Sequence, residues 1–141
     1  MDLLDVATTW DRVAALDAAV RRAVRPHAFT LATFTHAALE GCAIEFTLVG
    51  LAGATAEEIA RSSRDDAETD LEEAEDRHEA CWSAALAAVA DGGATLSHHS
   101  GIGLARQVLL PREHGEGMRQ LRALKKAFDP HGVLNPGKLL L

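Results

Sequence analysis

Between Cys42 and Val49 the chain alternates strictly. Cys42, Ile44, Phe46 and Leu48 take turns with Ala43, Glu45, Thr47 and Val49. Successive strand side chains point to opposite faces, so this is a period-two strand with one strongly apolar face. Such a strand needs a sheet covered on that face, and Glu45 falls on the other. Just upstream, Ala28 to His36 (AFTLATFTH) is rich in Thr and Phe and also reads as a strand. The link between them, Ala37 to Gly41, is short, which predicts an antiparallel hairpin.

Helical patterns flank this hairpin. From Trp10, the apolar residues Val13, Leu16, Val20 and Val24 recur at helical spacing. Thr8 or Thr9 is available as N-cap and Pro26 closes the segment, predicting a helix over 10–24. Residues 1–9 add one strand or lie extended. After a loop at 50–55, Thr55 caps a helix with Glu57 and Glu58 in its first turn. Helical composition then runs to about Val89 and stops at Asp91-Gly92-Gly93. The acidic run Asp65 to Glu79 reads as a solvated helix face, with His78 exposed on it. Ala94-Thr95-Leu96 reads as a short strand, and a helix is predicted over 112–127. The turn-rich end, FDPHGVLNPGKLL, runs extended over a surface. The order is α, β-hairpin, α, β, α, tail. That is α+β, half of a ferredoxin-like arrangement, with helices on one face of a small antiparallel sheet.

Composition narrows the function. The 141 residues suit one domain, and with four Phe, two Trp and no Tyr its core is mainly Ala, Leu and Val. A net charge of −7 argues against nucleic-acid binding, which requires clustered cations. The two cysteines, Cys42 and Cys81, form no CxxC pair, and no apolar run is long enough to span a bilayer. The expectation is a reduced, cytoplasmic protein.

The segment Ser97-His98-His99-Ser100-Gly101-Ile102-Gly103 carries the chemistry. Two imidazoles can act as acid, base or metal ligand near neutral pH, and Gly101 and Gly103 let backbone approach a flat cofactor. Gly-Ile-Gly lacks the later glycine of a dinucleotide fingerprint. Arg106, Arg112 and Lys138 are candidates for neutralising an anion, against the alternative of surface salt bridges.

GGATLSHHSGIGLAR, then LPREHG, then FDPHGVLNPGKLL resembles the C-terminal region of FAD-linked oxidases of the vanillyl-alcohol-oxidase type. The branch most similar is the alkyl-dihydroxyacetonephosphate synthase group, with its Ser-His-His-His-Gly-Ile-Gly segment and Asp-Pro…Asn-Pro-Gly-Lys tail. DLLDVATTWDRV and TFTHAALEGCAIEFTLVG are similar to that group's opening and hairpin. Four ordered motifs span essentially the whole chain. The resemblance implies part of a cap domain over 1–128 that shapes a substrate site. It also implies a tail, 129–141, that docks on an FAD-binding domain through Asn135 and Lys138. No flavin pyrophosphate loop is found in these residues, so the expectation is a fragment, or a flavin domain on another polypeptide, with FAD not retained by this chain and no activity alone.

Two departures qualify the resemblance. The third histidine of the family segment falls at Ser100, and the synthase group's acid–base tyrosine falls at Glu45, so the synthase reaction is not carried over. A second similar branch, the D-2-hydroxyacid dehydrogenases, places a divalent metal between two such segments. Allowing a hairpin insertion, that implies His36, Glu45 and His99 as ligands of a zinc- or manganese-like ion. The expected catalytic residues are His98, His99 and Glu45, acting on a small hydroxy acid or related alcohol. The alternative is a non-catalytic α+β module that self-associates as a homo-oligomer or binds a metal or ligand.

Overall fold

The computed structural model describes residues 1–50 and 71–139. Their elements are β1 (Asp2–Thr9), α1 (Val13–Val24), β2 (Phe29–Thr35), β3 (Gly41–Val49), α2 (Leu71–Asp91), α3 (Gly103–Gln107), α4 (Leu110–His114) and α5 (Gly117–Phe128). The expected helix start at Thr55 lies outside the described residues.

β3 is the centre of a three-stranded antiparallel sheet of order β1-β3-β2. The alternation in its sequence decides its burial. Cys42, Ile44, Phe46 and Leu48 are buried, whereas Glu45, Thr47 and Val49 are half-buried. The register puts Leu4 and Ala32 beside Phe46, and Val6 and Phe34 beside Ile44. Leu16, Val20 and Val24 of α1 and Cys81, Ala85, Leu86 and Val89 of α2 complete the core over that face. Each fully buried Leu, Ile or Phe contributes about 1.5–3 kcal/mol. The fold is α+β, with these helices on one face of the sheet. On the other face Leu3 and Leu31, which flank Thr47, are half exposed. Gly41 is required sterically, since a Cβ there would lie 2.0 Å from the Thr8 carbonyl oxygen.

Three local expectations are corrected. Thr8 and Thr9 do not cap α1, because β1 claims them in pairs with Cys42 and Gly41; the Thr9 carbonyl instead accepts from the Arg12 N–H at 2.9 Å. Ala94–Leu96 is not a strand. The Thr95 N–H donates to the Ala7 carbonyl, but the Ala7 N–H donates back to the Thr95 hydroxyl at 2.8 Å. A side chain thus replaces the backbone acceptor, and the ladder ends after one step. The helix expected over 112–127 is two helices, broken where Gly115 takes φ +50°.

α2 stops as expected, at Gly93 with φ +65°. The tail after α5 has no helix or strand. Asp129 shapes it by accepting the N–H groups of Val133 and Leu134, each at 2.9 Å. Among the described residues, no helix is long and apolar enough to cross a membrane.

Candidate active site

The site forms where the end of β2 meets the segment after α2. Beyond Thr35, which pairs with Ala43, the chain turns through His36 at φ +48°. This left-handed backbone is strained for most side chains and commoner for His than for β-branched residues. The opposite wall runs along β1. The His98 N–H donates to the Asp5 carbonyl at 3.2 Å, and the His99 N–H donates to the Asp5 carboxylate at 2.5 Å. Ser97 closes the turn by donating its hydroxyl to the Ser100 carbonyl.

Three imidazoles meet here. One ligand nitrogen each from His36, His98 and His99 lies within 4.8 Å of the others, and all three residues are exposed. His99 Nε2 is 3.2 Å from His36 Nδ1, which also lies 3.0 Å from the Thr35 hydroxyl. The His99 ring centre is 4.1 Å from that of His98 and 4.3 Å from that of His36. A hydrogen bond between ring nitrogens needs one N–H and one lone pair, so this contact gives the two facing nitrogens opposite roles.

The expected residues divide accordingly. His36 and His99, two of the three residues of the expected metal set, lie together, and His98 joins them. Glu45 stands between Asp5 and Thr33 in the sheet register and is not one of the three converging groups; His98 is. Gly103 has φ +62°, a local reason for glycine. At Gly101 a Cβ would meet nothing within 4 Å, so the described chain itself leaves that space open. Asn135, at φ +45°, and Lys138 belong to the tail, where the Lys138 N–H reaches the Asn135 carbonyl at 3.3 Å.

A cleft of about 330 Å³ adjoins the histidines, lined among others by Arg12, His36, Glu40, Thr95 and His98. Trp10 fixes its rim, donating its ring N–H to the Ala38 carbonyl at 3.0 Å and its backbone N–H to the Glu40 carbonyl at 3.2 Å. A second cavity, of about 190 Å³, lies beside Asp2, His27, His78, Cys81 and Trp82, where His78 Nε2 is 2.6 Å from the Asp2 carboxylate. His78 is therefore exposed as expected, yet paired. Burial pushes the Cys81 thiol up, and Asp2 adds to this.

Sequence reasoning missed two residues. Asp5 carries no motif, and its buried position is visible only once β1 is paired. Arg12 lies in the opening WDRV, where nothing in the sequence marks it, and only the fold brings it to the cleft. Two of the three expected anion partners are otherwise engaged. Arg106 is buried, with its guanidinium carbon 5.6 Å from the Trp82 ring centre and Nη1 donating to the Gly101 carbonyl; burial lowers its pKa against the pull of Asp5. Arg112 makes a salt bridge to Asp91 at 2.5 Å.

Residues 1–139 match the family described as FAD linked oxidases, C-terminal domain. The chain belongs to that family. Curated relatives of this FAD-linked oxidase C-terminal domain match over shorter stretches. An uncharacterised FAD-linked oxidoreductase of Escherichia coli strain K12, YgcU, is 43% identical over 47 residues, 33% of this chain and 10% of that protein. An alkyldihydroxyacetonephosphate synthase of Trypanosoma brucei brucei is 46% identical over 46 residues, 32% of this chain and 8% of that protein. The matched stretches thus span a tenth or less of these relatives.

Proposed function

We propose that this domain is the substrate-side wall of an FAD-dependent oxidoreductase that oxidises a small hydroxy acid or related alcohol. The observation that carries the reading is the convergence of His36, His98 and His99 beside the cleft. FAD, when bound by a partner domain of the same or another polypeptide, supplies the hydride acceptor. The histidines take the substrate hydroxyl proton: a ring nitrogen of His98 or His99 accepts it, and the His99–His36 contact passes it along. Asp5 holds the backbone that carries both rings. The open space at Gly101 fits close approach of a flat ring, because no part of the described chain fills it. The exposed apolar side chains of Phe128, Val133 and Leu134 support docking of the tail, with Asn135 and Lys138, on the flavin-binding domain.

The test is flavin bleaching in the FAD-containing protein on rapid mixing with a panel of hydroxy acids and alcohols. His99→Ala should slow reduction roughly 100-fold or more, the range expected for loss of a general base. Reduction at the wild-type rate would overturn the reading.

The same three nitrogens favour a second role, in which they hold a zinc- or manganese-like ion that orients the substrate carboxylate and hydroxyl. The 3.2 Å between His99 Nε2 and His36 Nδ1 is close to the ~3.4 Å expected for two imidazoles on one tetrahedral ion. Elemental analysis after zinc loading should find one ion per chain, lost in His99→Ala. No metal in either protein would leave only the acid–base role.

A further inference from the structure

The cleft beside the histidines contains a cation that the acid–base reading does not use. We infer that Arg12 is its specificity-determining residue, holding a carboxylate or phosphate oxyanion of the substrate while the carbinol faces His36 and His98. This rests on the proposed function, and it narrows the substrate from alcohols in general to anionic ones.

Arg12 sits at the corner between β1 and α1, and its place is built by the fold. Its Nη1 donates to the Gly93 carbonyl at 3.3 Å, which ties the guanidinium to the segment that continues to His98. Gly93 keeps room for it, since a Cβ there would lie 2.6 Å from Nη1. The ion pair to Asp11 is long, 3.9 Å from Nε, and lies where both side chains are more than half exposed. Such a pair contributes little, and the two contacts engage few of the five N–H donors of a guanidinium. A planar fork of donors suits a planar or tetrahedral oxyanion, which it can bind through two hydrogen bonds.

The remaining lining sharpens the argument. Glu40 is the carboxylate of the cleft and would repel an anion placed beside it, so among the lining residues Arg12 is the permanent cation that would hold one. His36 and His98 line the same cleft, which puts proton acceptor and anion site in one cavity. At about 330 Å³ it is at the small end of ligand pockets, which run from about 300 Å³ upward. A compact substrate such as a short hydroxy acid or a triose-sized phosphate fits that volume. Arg106 and Arg112 do not offer this service, because each is already engaged elsewhere.

The experiment is a titration of the 141-residue chain followed by amide NMR, with lactate, glycerol 3-phosphate and the uncharged lactamide as probes. Lactate or glycerol 3-phosphate should move the amides of Gly93, Thr95 and His98, and whichever binds tighter separates carboxylate from phosphate. Lactamide should bind at least about tenfold more weakly, as should either anion to Arg12→Gln, the loss expected for hydrogen bonds to a charged group. Arg12→Lys should restore part of the binding, and its spectrum shows whether the fold is kept if Arg12→Gln fails to fold. Three results overturn the inference: lactamide binding as well as lactate, anion binding unchanged in Arg12→Gln, or no binding of either anion. Flavin reduction by neutral alcohols that depends on His99 but not on Arg12 would sink this inference alone. Arg12-dependent anion binding with flavin reduction indifferent to His99 would sink the acid–base reading instead.

Discussion

The Asp5 carboxylate accepts the backbone N–H of His99 across 94 residues of sequence, and it does so from a buried position on β1. With the Asp5 carbonyl accepting from His98, one residue holds two of the three histidines of the site at a fixed height along the strand. Asp5→Ala removes the acceptor and leaves a half-buried N–H without its partner. The expected loss is about 1–3 kcal/mol in urea unfolding, with faster exchange of the His99 amide. Asp5→Asn keeps an oxygen there and should lose less. Equal stability of Asp5→Ala and the native protein would show that this bond does not hold the turn.

His36 has a backbone cost and a side-chain use, which a substitution can separate. At φ +48° a glycine relieves strain of about 1 kcal/mol or more, so the turn itself should not lose stability in His36→Gly. The ring contact to His99 disappears in the same variant. The expected outcome is a melting temperature equal to or above the native value, with slowed flavin reduction in the FAD-containing protein. A lowered melting temperature would mean that the ring, not the backbone, decides stability there.

Asp129 makes the tail sensitive to acid. The Lys125 ammonium, hydrogen-bonded to it, together with the Val133 and Leu134 N–H groups, holds its carboxyl at about 2, below the ordinary 3.8; burial opposes this. A carboxyl depressed in the folded state contributes fully above its ordinary value and loses that contribution as pH falls toward the folded one. The Val133 and Leu134 amide signals should therefore keep their native positions at pH 5 and collapse between about pH 4 and 2. In Asp129→Asn they should be displaced already at pH 7 and change little on acidification. Acid-insensitive tail signals in the native chain would contradict the assignment of Asp129 as the clamp.

Cys42 and Cys81 are free and buried. Attack on a disulfide reagent requires thiolate and access, and at Cys81 burial works against both. Both thiols should react slowly with an aromatic disulfide in native buffer and rapidly in denaturant. Rapid native reaction at Cys81 would show that the core over α2 opens readily.

Much of the fold was legible because its signals are local. The alternation in Cys42–Val49 set both the strand and its buried face, and the spacing of Leu16, Val20 and Val24 set the face of α1. Local signals failed where a partner from elsewhere competed. Thr8 and Thr9 suit an N-cap, but the sheet register took them, and Thr95 suits a strand, but its hydroxyl displaced the backbone acceptor. Gly115 could be seen in the sequence, yet only its positive φ turned one expected helix into two.

By itself the sequence determined the α+β class, the hairpin, the four ordered motifs that resemble the FAD-linked oxidases, and His98-His99 as neighbouring candidate residues. Tertiary structure alone decided which third group joins that pair. His36 stands 63 residues from His99 and reaches it, while Glu45, held midway along β3, is not among the converging groups. It also decided that Arg12, rather than Arg106 or Arg112, faces the cleft. The physical reason is that periodicity fixes which way a side chain points from its own element. The meeting of groups distant in sequence depends on strand register and on which backbone acceptors remain unclaimed.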